Sequence, residues 1–445
     1  MMQNDSDYQF RLRDSVLGVQ MLLVAFGALV LVPILTGLDP NVSLFTAGAG
    51  TLVFQVVTRG KVPVFLASSF AFIAPIIYGV QTWGIPATLS GLAAAGVLYI
   101  VLSLVVRWGG SNLLHRILPP IVTGPVIMVI GLVLAPVAVH MAVGRTGDGS
   151  AWLVPQPAAM IVAGVAFATT VIVSLWGRGW FRLLPIGCGL LMGYTVAVVL
   201  DLSGFTASVQ TSFDPGELGD YTSGVLISLQ AVRESPWLAW PGFTLPEWSW
   251  PAVLFMIPVA IAPAIEHFGD VIAIGGVTGK DYVEDPGIEN TMLGDGLATS
   301  LAAVLGGPPN TTYSEVSGAV VLTRAFNPAV MTWAAITAIL LAFVGKLGGV
   351  LASIPTPVMG GIMILLFGAI TVVGINTLVK ARVDLTEPRN LIIAAVILVV
   401  GLGGLHIGGD AFQLEGIGLA GIAGVLLNWV LPQPKTCANA PSDPQ

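Results

Sequence analysis

Charged residues are scarce in this chain: Asp, Glu, Lys and Arg make up only 9% of its 445 residues. A soluble domain typically carries about 25% charged residues, so the composition excludes an ordinary soluble fold. Hydrophobic residues make up 55% of the chain, and the mean hydropathy is +0.89. The sequence therefore predicts one polytopic membrane unit over residues 1–445, without a soluble domain.

Cysteines and basic clusters are also few. The two cysteines, Cys188 and Cys437, form no CxxC pair, which argues against a disulfide scaffold and a metal site. The sequence has no run or stripe of Lys and Arg, so we expect no nucleic-acid partner. The apolar segments contain no nucleophile–base set and no metal-ligand cluster, so we expect neither an enzyme nor a bound cofactor.

Apolar runs provide fourteen candidate spans, given that a spanning helix needs roughly 17–25 mostly apolar residues. Seven precede a polar stretch at 201–250 and seven follow it. Several are short, which predicts tilted or broken helices. The candidates are 15–35, 42–57, 64–80, 87–106, 121–140, 157–175, 183–200, 252–275, 290–305, 311–322, 329–352, 357–375, 390–406 and 417–431.

The positions of Lys and Arg test this count, because cytoplasmic loops carry an excess of positive residues. Of the 17 Lys and Arg, only Arg145, Arg233 and Lys346 fall on the side opposite the termini, which leaves 14 on the terminal side. We therefore expect an inner (plasma) membrane protein with both termini cytoplasmic and with 201–250 as an extracellular connector. Seven spans in each half predict two inverted repeats.

Two stretches are not predicted to form continuous spanning helices, although each is the third segment of its half. They cover residues 64–72 and 308–318 and are interrupted by Ser, Pro and Gly. Irregular backbone at membrane depth is tolerated only where protein or a water-filled cavity surrounds it, and a matched pair points to a transporter binding site. Half-helices starting near Ser69 and Ser314 would present backbone N–H groups there. A planar heterocycle with alternating N–H and C=O groups would match them.

Four carboxylates fall within the predicted spans: Glu266, Asp270, Asp295 and Glu315. Such acids are costly in a bilayer and are functional candidates by default. Glu266 and Asp270 are one helical turn apart, so they would share a face, and mutual repulsion would favour a proton on one of them. We expect Asp295 to bind a backbone N–H or a helix terminus, and His267 to pack away from the ligand.

Several motifs together resemble those of the nucleobase–ascorbate transporter family, and most closely its bacterial uracil permeases. The likeness covers most of the chain. It rests on the blocks AIEHFG at 264–269, NTTYSEVSG at 310–318, GKVP at 60–63, SSFAFI at 68–73, PG at 286–287 and PVMGG at 357–361. The resemblance implies fourteen segments with short strands in spans 3 and 10. It also implies a core domain at about 15–107 and 252–352, a gate domain at about 113–200 and 355–432, and a homodimer.

The resemblance also implies roles for individual residues. The family's two substrate carboxylates match Glu266 and Glu315, and its backbone donors match Phe70 and Ser314. The aromatic residue beside the second carboxylate matches Tyr313. This set predicts a proton-coupled importer of a nucleobase, with uracil as the leading substrate.

Two positions depart from the pattern of the uracil permeases. Phe367 stands at a gate position where those proteins carry Tyr, and Asp270 stands where they often carry His. With Asp270, either proton coupling would use the carboxylate pair of Glu266 and Asp270, or the substrate preference would shift. A purine such as xanthine or uric acid is the alternative substrate, although purine-transporting relatives usually carry Gln at the position of Glu315. An anion exchanger or channel of related architecture is a further alternative, which the acids Glu266 and Glu315 disfavour.

Overall fold

The computed structural model describes residues 7–109, 119–212, 221, 225–409 and 412–432. Parts of the predicted connector (213–220 and 222–224) and the start of the predicted gate segment (113–118) lie outside these residues. The helices before the connector are α1 (Ser15–Thr36), α2 (Pro40–Val57), α3 (Ile73–Trp83), α4 (Ile85–Gly109), α5 (Pro120–Ala142), α6 (Gln156–Trp176) and α7 (Pro185–Leu202).

The connector contributes two short helices, α8 (Phe205–Ser212) and α9 (Gln230–Glu234). The helices after it are α10 (Trp250–Val259), α11 (Ile261–Thr278), α12 (Ile288–Val304), α13 (Ser314–Thr323), α14 (Ala329–Ala342), α15 (Gly345–Ala352), α16 (Thr356–Lys380), α17 (Pro388–Leu402) and α18 (Gly416–Val430). Two small antiparallel ribbons complete the described part. They are formed by β1 (Leu66–Ser68) with β2 (Asn310–Thr312), and by β3 (His406–Gly409) with β4 (Phe412–Glu415).

Membrane-length helices dominate this architecture. By length and composition, seven helices of the described residues could each cross a bilayer, and five apolar helices are shorter. Local sequence explains several of their ends. Gly37 ends α1 with a φ of 75°, a left-handed conformation that glycine adopts without steric cost. Asp39 then caps α2, because its carboxylate accepts from the amides of Asn41 and Val42.

Two predicted spans are each divided into two helices, which corrects the sequence prediction. The span predicted at 252–275 breaks at Ala260, between α10 and α11. Pro263 has no N–H for the Val259 carbonyl, so the helical ladder is interrupted there. The span predicted at 329–352 breaks at 343–344, where the connector supplies backbone partners: the Ala239 amide donates to the Phe343 carbonyl at 3.0 Å.

Small residues allow the long helices to pack closely. A Cβ on Gly96 of α4 would lie 2.8 Å from the Gly296 carbonyl of α12. A Cβ on Gly124 of α5 would lie 2.9 Å from the Gly374 carbonyl of α16. In both contacts the backbones approach to a distance that a side chain would prevent, as is common between membrane helices.

Candidate functional site

The two broken stretches pair with each other. β1 lies antiparallel to β2, with Ser68 opposite Asn310. The pairing extends one residue further, since the Ser69 amide donates to the Pro309 carbonyl at 2.9 Å. The short strands that the resemblance implied in spans 3 and 10 are therefore present, and each satisfies part of the other's backbone.

The ribbon's outer edges face other parts of the protein. In an antiparallel ladder, hydrogen-bonded pairs alternate with pairs whose backbone groups point away. Because Ser69 bonds to Pro309, the alternation places the next bonded pair at Ala67 and Thr311. The intervening residues turn their N–H and C=O groups outwards; they are Leu66, Ser68, Asn310 and Thr312. At membrane depth these groups need partners from neighbouring segments.

Threonines of α2 and α12 supply such partners at matching points. The Thr51 hydroxyl of α2 accepts from the Leu66 amide at 3.0 Å. The Thr299 hydroxyl of α12 donates to the Asn310 carbonyl at 2.7 Å. All four residues are fully buried. Since Leu66 and Asn310 are the first residues of their strands, two helices fix the two strands at equivalent positions.

A helix begins where each strand ends. A 3₁₀ turn at Phe70–Phe72 leads from β1 into α3, and α13 begins after Tyr313. The first amides of a helix have no intrahelical partner and favour anionic or carbonyl groups. The rings of Phe70 and Tyr313, which stand at these two helix starts, have centroids 6.0 Å apart and planes inclined by 50°.

A cavity of about 100 Å³ lies against the ribbon. One side is polar and aromatic and comes from the broken stretches and α11: Ser68, Ser69, Phe70, Ala71, Thr311, Thr312, Tyr313 and Glu266. The other side is apolar and comes from α5 and α16: Ile127, Ile130, Leu366, Ala369, Ile370 and Val373.

The structure brings three of the predicted substrate residues to this cavity, namely Phe70, Glu266 and Tyr313. Glu266 is half-buried, and Tyr313 is buried. The other two, Ser314 and Glu315, are the first residues of α13. Their side chains lie outside the described part of the structure, so the contact predicted for the Glu315 carboxylate stays a prediction.

The remaining predicted residues lie further from the ligand space. Asp270 is buried one turn beyond Glu266 on α11. Phe367 is buried at 2% exposure, and its carbonyl accepts from the Thr371 hydroxyl at 3.0 Å within α16. The cavity wall from α16 consists of the neighbours of Phe367, and the gate role predicted for this residue stays a prediction.

His267 and Asp295 contact each other. Their side chains are fully buried, and His267 Nδ1 lies 2.9 Å from Asp295 Oδ2, at an angle outside that of a regular hydrogen bond. Asp295 Oδ2 also accepts from the Thr312 amide at 3.4 Å, so Asp295 does contact a backbone N–H of β2. His267 is not among the residues that line the cavity. Among the described residues, no group of three or more His, Cys, Asp and Glu could hold a metal ion.

Sequence reasoning missed the residues that hold the ribbon. Besides Thr51 and Thr299, Ser43 of α2 forms a hydroxyl pair with Ser68 at 2.8 Å, and Gln55 donates to the Val62 carbonyl at 2.9 Å. A signal existed, because Ser43, Thr51 and Gln55 are spaced by multiples of four and line one face of α2. That polar face points towards the broken stretch.

Comparison with known proteins agrees with this architecture. The long apolar helices are those of a multi-pass integral membrane protein. The sequence model of a protein family described as "Permease family" matches residues 13–407. A probable uracil permease of Haemophilus influenzae is 48% identical over 430 residues and covers 97% of both chains. A uracil permease of Bacillus caldolyticus is 41% identical over 95% of this chain and 93% of its own. The chain belongs to the nucleobase–ascorbate transporter family of permeases, and it is a transporter rather than an enzyme.

A solved structure shares the fold. The transmembrane domain of the cyanobacterial bicarbonate transporter BicA superimposes with a TM-score of 0.63, covering 95% of this chain and 99% of that domain. The sequences are only 15% identical, so this likeness concerns the fold alone. The family inferred from the motifs is confirmed by the sequence comparisons.

Proposed function

We propose that this permease imports a nucleobase together with a proton, and that uracil is its leading substrate. The observation that carries the proposal is the cavity at the paired strands, where a carboxylate, two aromatic rings and two helix starts meet. The similar proteins of Haemophilus influenzae and Bacillus caldolyticus, a probable uracil permease and a uracil permease, support uracil.

The proposed contacts follow from the donors and acceptors of a pyrimidine ring. Glu266 and Glu315 accept the two ring N–H groups, since carboxylates form strong hydrogen bonds with such donors. Backbone amides near Phe70 and Ser314 donate to the ring carbonyls. Phe70 or Tyr313 packs against the ring face, which an aromatic side chain favours in an offset or tilted arrangement.

The two sides of the cavity belong to two domains that move relative to each other in the proposed mechanism. In the proposed alternating-access cycle, a core domain at about 15–107 and 252–352 carries the ribbon and the polar residues. A gate domain at about 113–200 and 355–432 carries the wall from α5 and α16. Their relative movement would open the cavity first to one side of the membrane and then to the other.

The same proposal includes fourteen membrane segments in two inverted repeats, with cytoplasmic termini in an inner membrane. The charge distribution supports this orientation, since only Arg145, Arg233 and Lys346 of the 17 Lys and Arg fall on the side opposite the termini. The matched contacts of Thr51 with β1 and of Thr299 with β2 support the repeat. Family members are commonly homodimers through the gate domain, and we propose the same assembly here.

Proton coupling is proposed to use Glu266 and Asp270. Glu266 lies at the cavity and Asp270 is buried one turn away on α11. Protonation of one carboxylate reduces the repulsion between them and lowers the cost of keeping both in an apolar setting. A proton that enters with the substrate would therefore stabilise the loaded state.

Binding of uracil and of xanthine to the purified protein at two pH values tests the proposal. We expect uracil to bind, to bind more tightly than xanthine, and to bind more weakly at alkaline pH. Uptake of labelled uracil into proteoliposomes, with competition by a panel of nucleobases, extends the test to transport. Tighter binding of xanthine would favour the purine alternative, and no binding of any nucleobase would refute the proposal.

A further inference from the structure

A second cavity lies between the N-terminal segment and the loop that follows α13. Its volume is about 360 Å³, more than three times that of the cavity at the ribbon. Its walls come from residues 7–14, from the start of α1 and from the loop between α13 and α14. Three arginines line it, namely Arg11, Arg13 and Arg324, and we call it the basic cavity.

The N-terminal wall of the basic cavity is held by bonds that do not use the arginine side chains. The amide and the carbonyl of Gln9 bond to the Asn327 side chain at 3.1 and 2.7 Å. The Arg11 carbonyl accepts from Trp333 Nε1 at 3.0 Å. The ring of Phe10 stacks on the Trp333 indole, with centroids 4.6 Å apart. Backbone groups and aromatic packing therefore shape the cavity, and the guanidinium groups are not needed for it.

The two carboxylates in the basic cavity already have partners. Asp14 Oδ2 accepts from the Asn327 side-chain amide at 3.0 Å, and Asp14 Oδ1 lies 3.7 Å from Arg13 Nε. Asp7 Oδ1 lies 3.4 Å from Lys280 Nζ, which comes from the end of α11 and does not line the cavity. Both negative charges are therefore balanced by Arg13 and Lys280.

Two positive charges of the basic cavity have no such balance. Among the residues that the structure describes, no carboxylate forms an ion pair with Arg11 or Arg324. Arg11 is half-buried and Arg324 is exposed. A guanidinium carries five N–H donors and pairs bidentately with phosphate. The cavity therefore offers positive charge and hydrogen-bond donors to a phosphate-bearing anion.

The basic cavity lies at the surface of the bilayer. Residues 7–14 directly precede α1, whose 22 residues are long and apolar enough to cross the hydrocarbon core. α13 starts beside the cavity at the ribbon and has ten residues, which gives it a length of about 15 Å. Transporter sites lie near the midplane of a hydrocarbon core about 30 Å thick, so the far end of α13 reaches the surface. Both walls therefore place the arginines at the level of the lipid headgroups.

Exposed apolar side chains border the basic cavity. Val16 is 59% exposed and follows Arg13 by three residues, so the two side chains are neighbours on the helix surface. Leu12 and Val19 are also exposed, and their spacing places them on the face of Val16. This face continues into the membrane span and meets acyl chains there. A lipid can therefore place its headgroup in the cavity and its chains along α1, whereas a free phosphate would use the arginines alone.

We propose that the basic cavity binds the headgroup of an anionic phospholipid, with Arg11 and Arg324 as its phosphate ligands. Arg13 adds positive charge, and the acyl chains lie along the exposed face of α1. Basic pockets between helices at a membrane surface bind such headgroups. The bound lipid joins the N-terminal segment to the end of α13. The inference does not depend on the proposed nucleobase function, because lipid binding is measured without substrate.

The test measures lipid binding to the purified full-length protein in a neutral detergent by native mass spectrometry. Phosphatidylglycerol is compared with phosphatidylcholine of the same acyl chains, since both contain phosphate but only the first has a net negative charge. We expect the wild type to bind phosphatidylglycerol at least about fivefold more tightly than phosphatidylcholine. Phosphatidylglycerol, added at equal concentration, should also protect the protein better against thermal inactivation.

Arg11→Gln combined with Arg324→Gln removes both unbalanced charges and keeps polar side chains. The double variant should fold, because the Arg11 carbonyl and its neighbours hold the N-terminal segment. One basic residue near a membrane surface contributes about a fivefold change in lipid affinity, so we expect phosphatidylglycerol to bind about 5- to 25-fold more weakly. Binding of phosphatidylcholine should change little.

Arg107→Gln combined with Arg382→Gln is the matched control. Both arginines are exposed, lie outside the basic cavity and are predicted on the same side of the membrane. Arg382 has a φ of 50°, close to the 54° of Arg324, so the same backbone conformation is substituted in both pairs. The control removes the same total charge and should bind phosphatidylglycerol within about twofold of the wild type.

Three results would overturn the inference. Equal binding of the two lipids by the wild type would remove the anionic preference. Equal weakening in the two double variants would show an effect of surface charge in general, and no weakening in either would show that the arginines are not ligands. Protection by inorganic phosphate as strong as that by phosphatidylglycerol would make the cavity a site for a soluble anion instead.

Single substitutions decide the case if the double variant does not fold. Arg11→Gln and Arg324→Gln are then measured separately, with Arg107→Gln and Arg382→Gln as their controls. Each cavity variant should bind phosphatidylglycerol about fivefold more weakly than its control. Affinities equal to those of the controls would refute the site.

Discussion

The Thr299 hydroxyl forms a shorter hydrogen bond to the ribbon than Asp295 does, the other α12 residue that bonds to it. Removing the Thr299 hydroxyl is therefore a direct test of how α12 holds β2. Thr299→Val nearly preserves the shape of the side chain but removes its donor. The Asn310 carbonyl then loses a hydrogen bond of 2.7 Å at a position with no exposure. A buried acceptor left without its partner costs about 1–3 kcal/mol. We expect the variant to lose that much stability in detergent.

Uracil affinity should fall as well, because Asn310 begins the strand that leads to Tyr313 and α13. A coupling of 1–3 kcal/mol corresponds to roughly a 5- to 150-fold change in affinity. We therefore expect the dissociation constant for uracil to rise at least about fivefold, measured by calorimetry on the purified protein. Thermal inactivation of the same samples gives the effect on stability.

Thr170→Val is the control for this measurement. Its hydroxyl bonds to a carbonyl within α6, which keeps its helical amide partner when the hydroxyl is lost. The control should bind uracil as the wild type does. If Thr299→Val matches Thr170→Val within about twofold in affinity and shows no loss of stability, the anchoring of β2 by α12 is wrong.

Three further predictions concern the substrate, the proton and the helix packing. Glu315→Gln should weaken uracil binding sharply or shift the preference towards a purine; an affinity unchanged within about twofold would contradict the substrate contact. Asp270→Asn should alter the pH dependence of uptake in proteoliposomes, and an identical profile would remove Asp270 from the proton path. Gly131→Ala should reduce the yield of folded protein, because its Cβ would lie 2.4 Å from the Phe367 carbonyl; Gly164→Ala, which meets open space, should not.

Hydropathy and charge predicted the long helices of the first half closely, because these helices are apolar and bounded by turn residues. The span predicted at 15–35 corresponds to α1 at Ser15–Thr36, for example. The break at Ala260 was not predicted, because the residues on both sides of it are apolar. Hydropathy averaged over a window of residues does not reveal the local loss of one hydrogen bond. The break at 343–344 depends on connector residues that are distant in sequence, and no local pattern indicates it.

The site was predictable to the extent that its residues are unusual for a membrane. Glu266 in an apolar helix and Phe70 and Tyr313 beside interrupted segments were identified from sequence, and they meet at one cavity. Thr51 and Thr299 were missed because a threonine in an apolar helix usually bonds to its own preceding turn. Their role became visible only with the register of β1 and β2, which determines the backbone groups that face outwards.

The two sides of the cavity differ in the way they are held, and this difference bears on the transport cycle. The polar side is fixed by directional bonds to α2 and α12, which resist displacement of the ribbon from those helices. The wall from α5 and α16 consists of Ile, Leu, Ala and Val side chains, which form no hydrogen bonds with the ribbon. Contact between these two sides is therefore non-directional and can change with little loss of bonding. Such a boundary permits the ribbon and its helices to move as one unit against α5 and α16, as the proposed cycle requires.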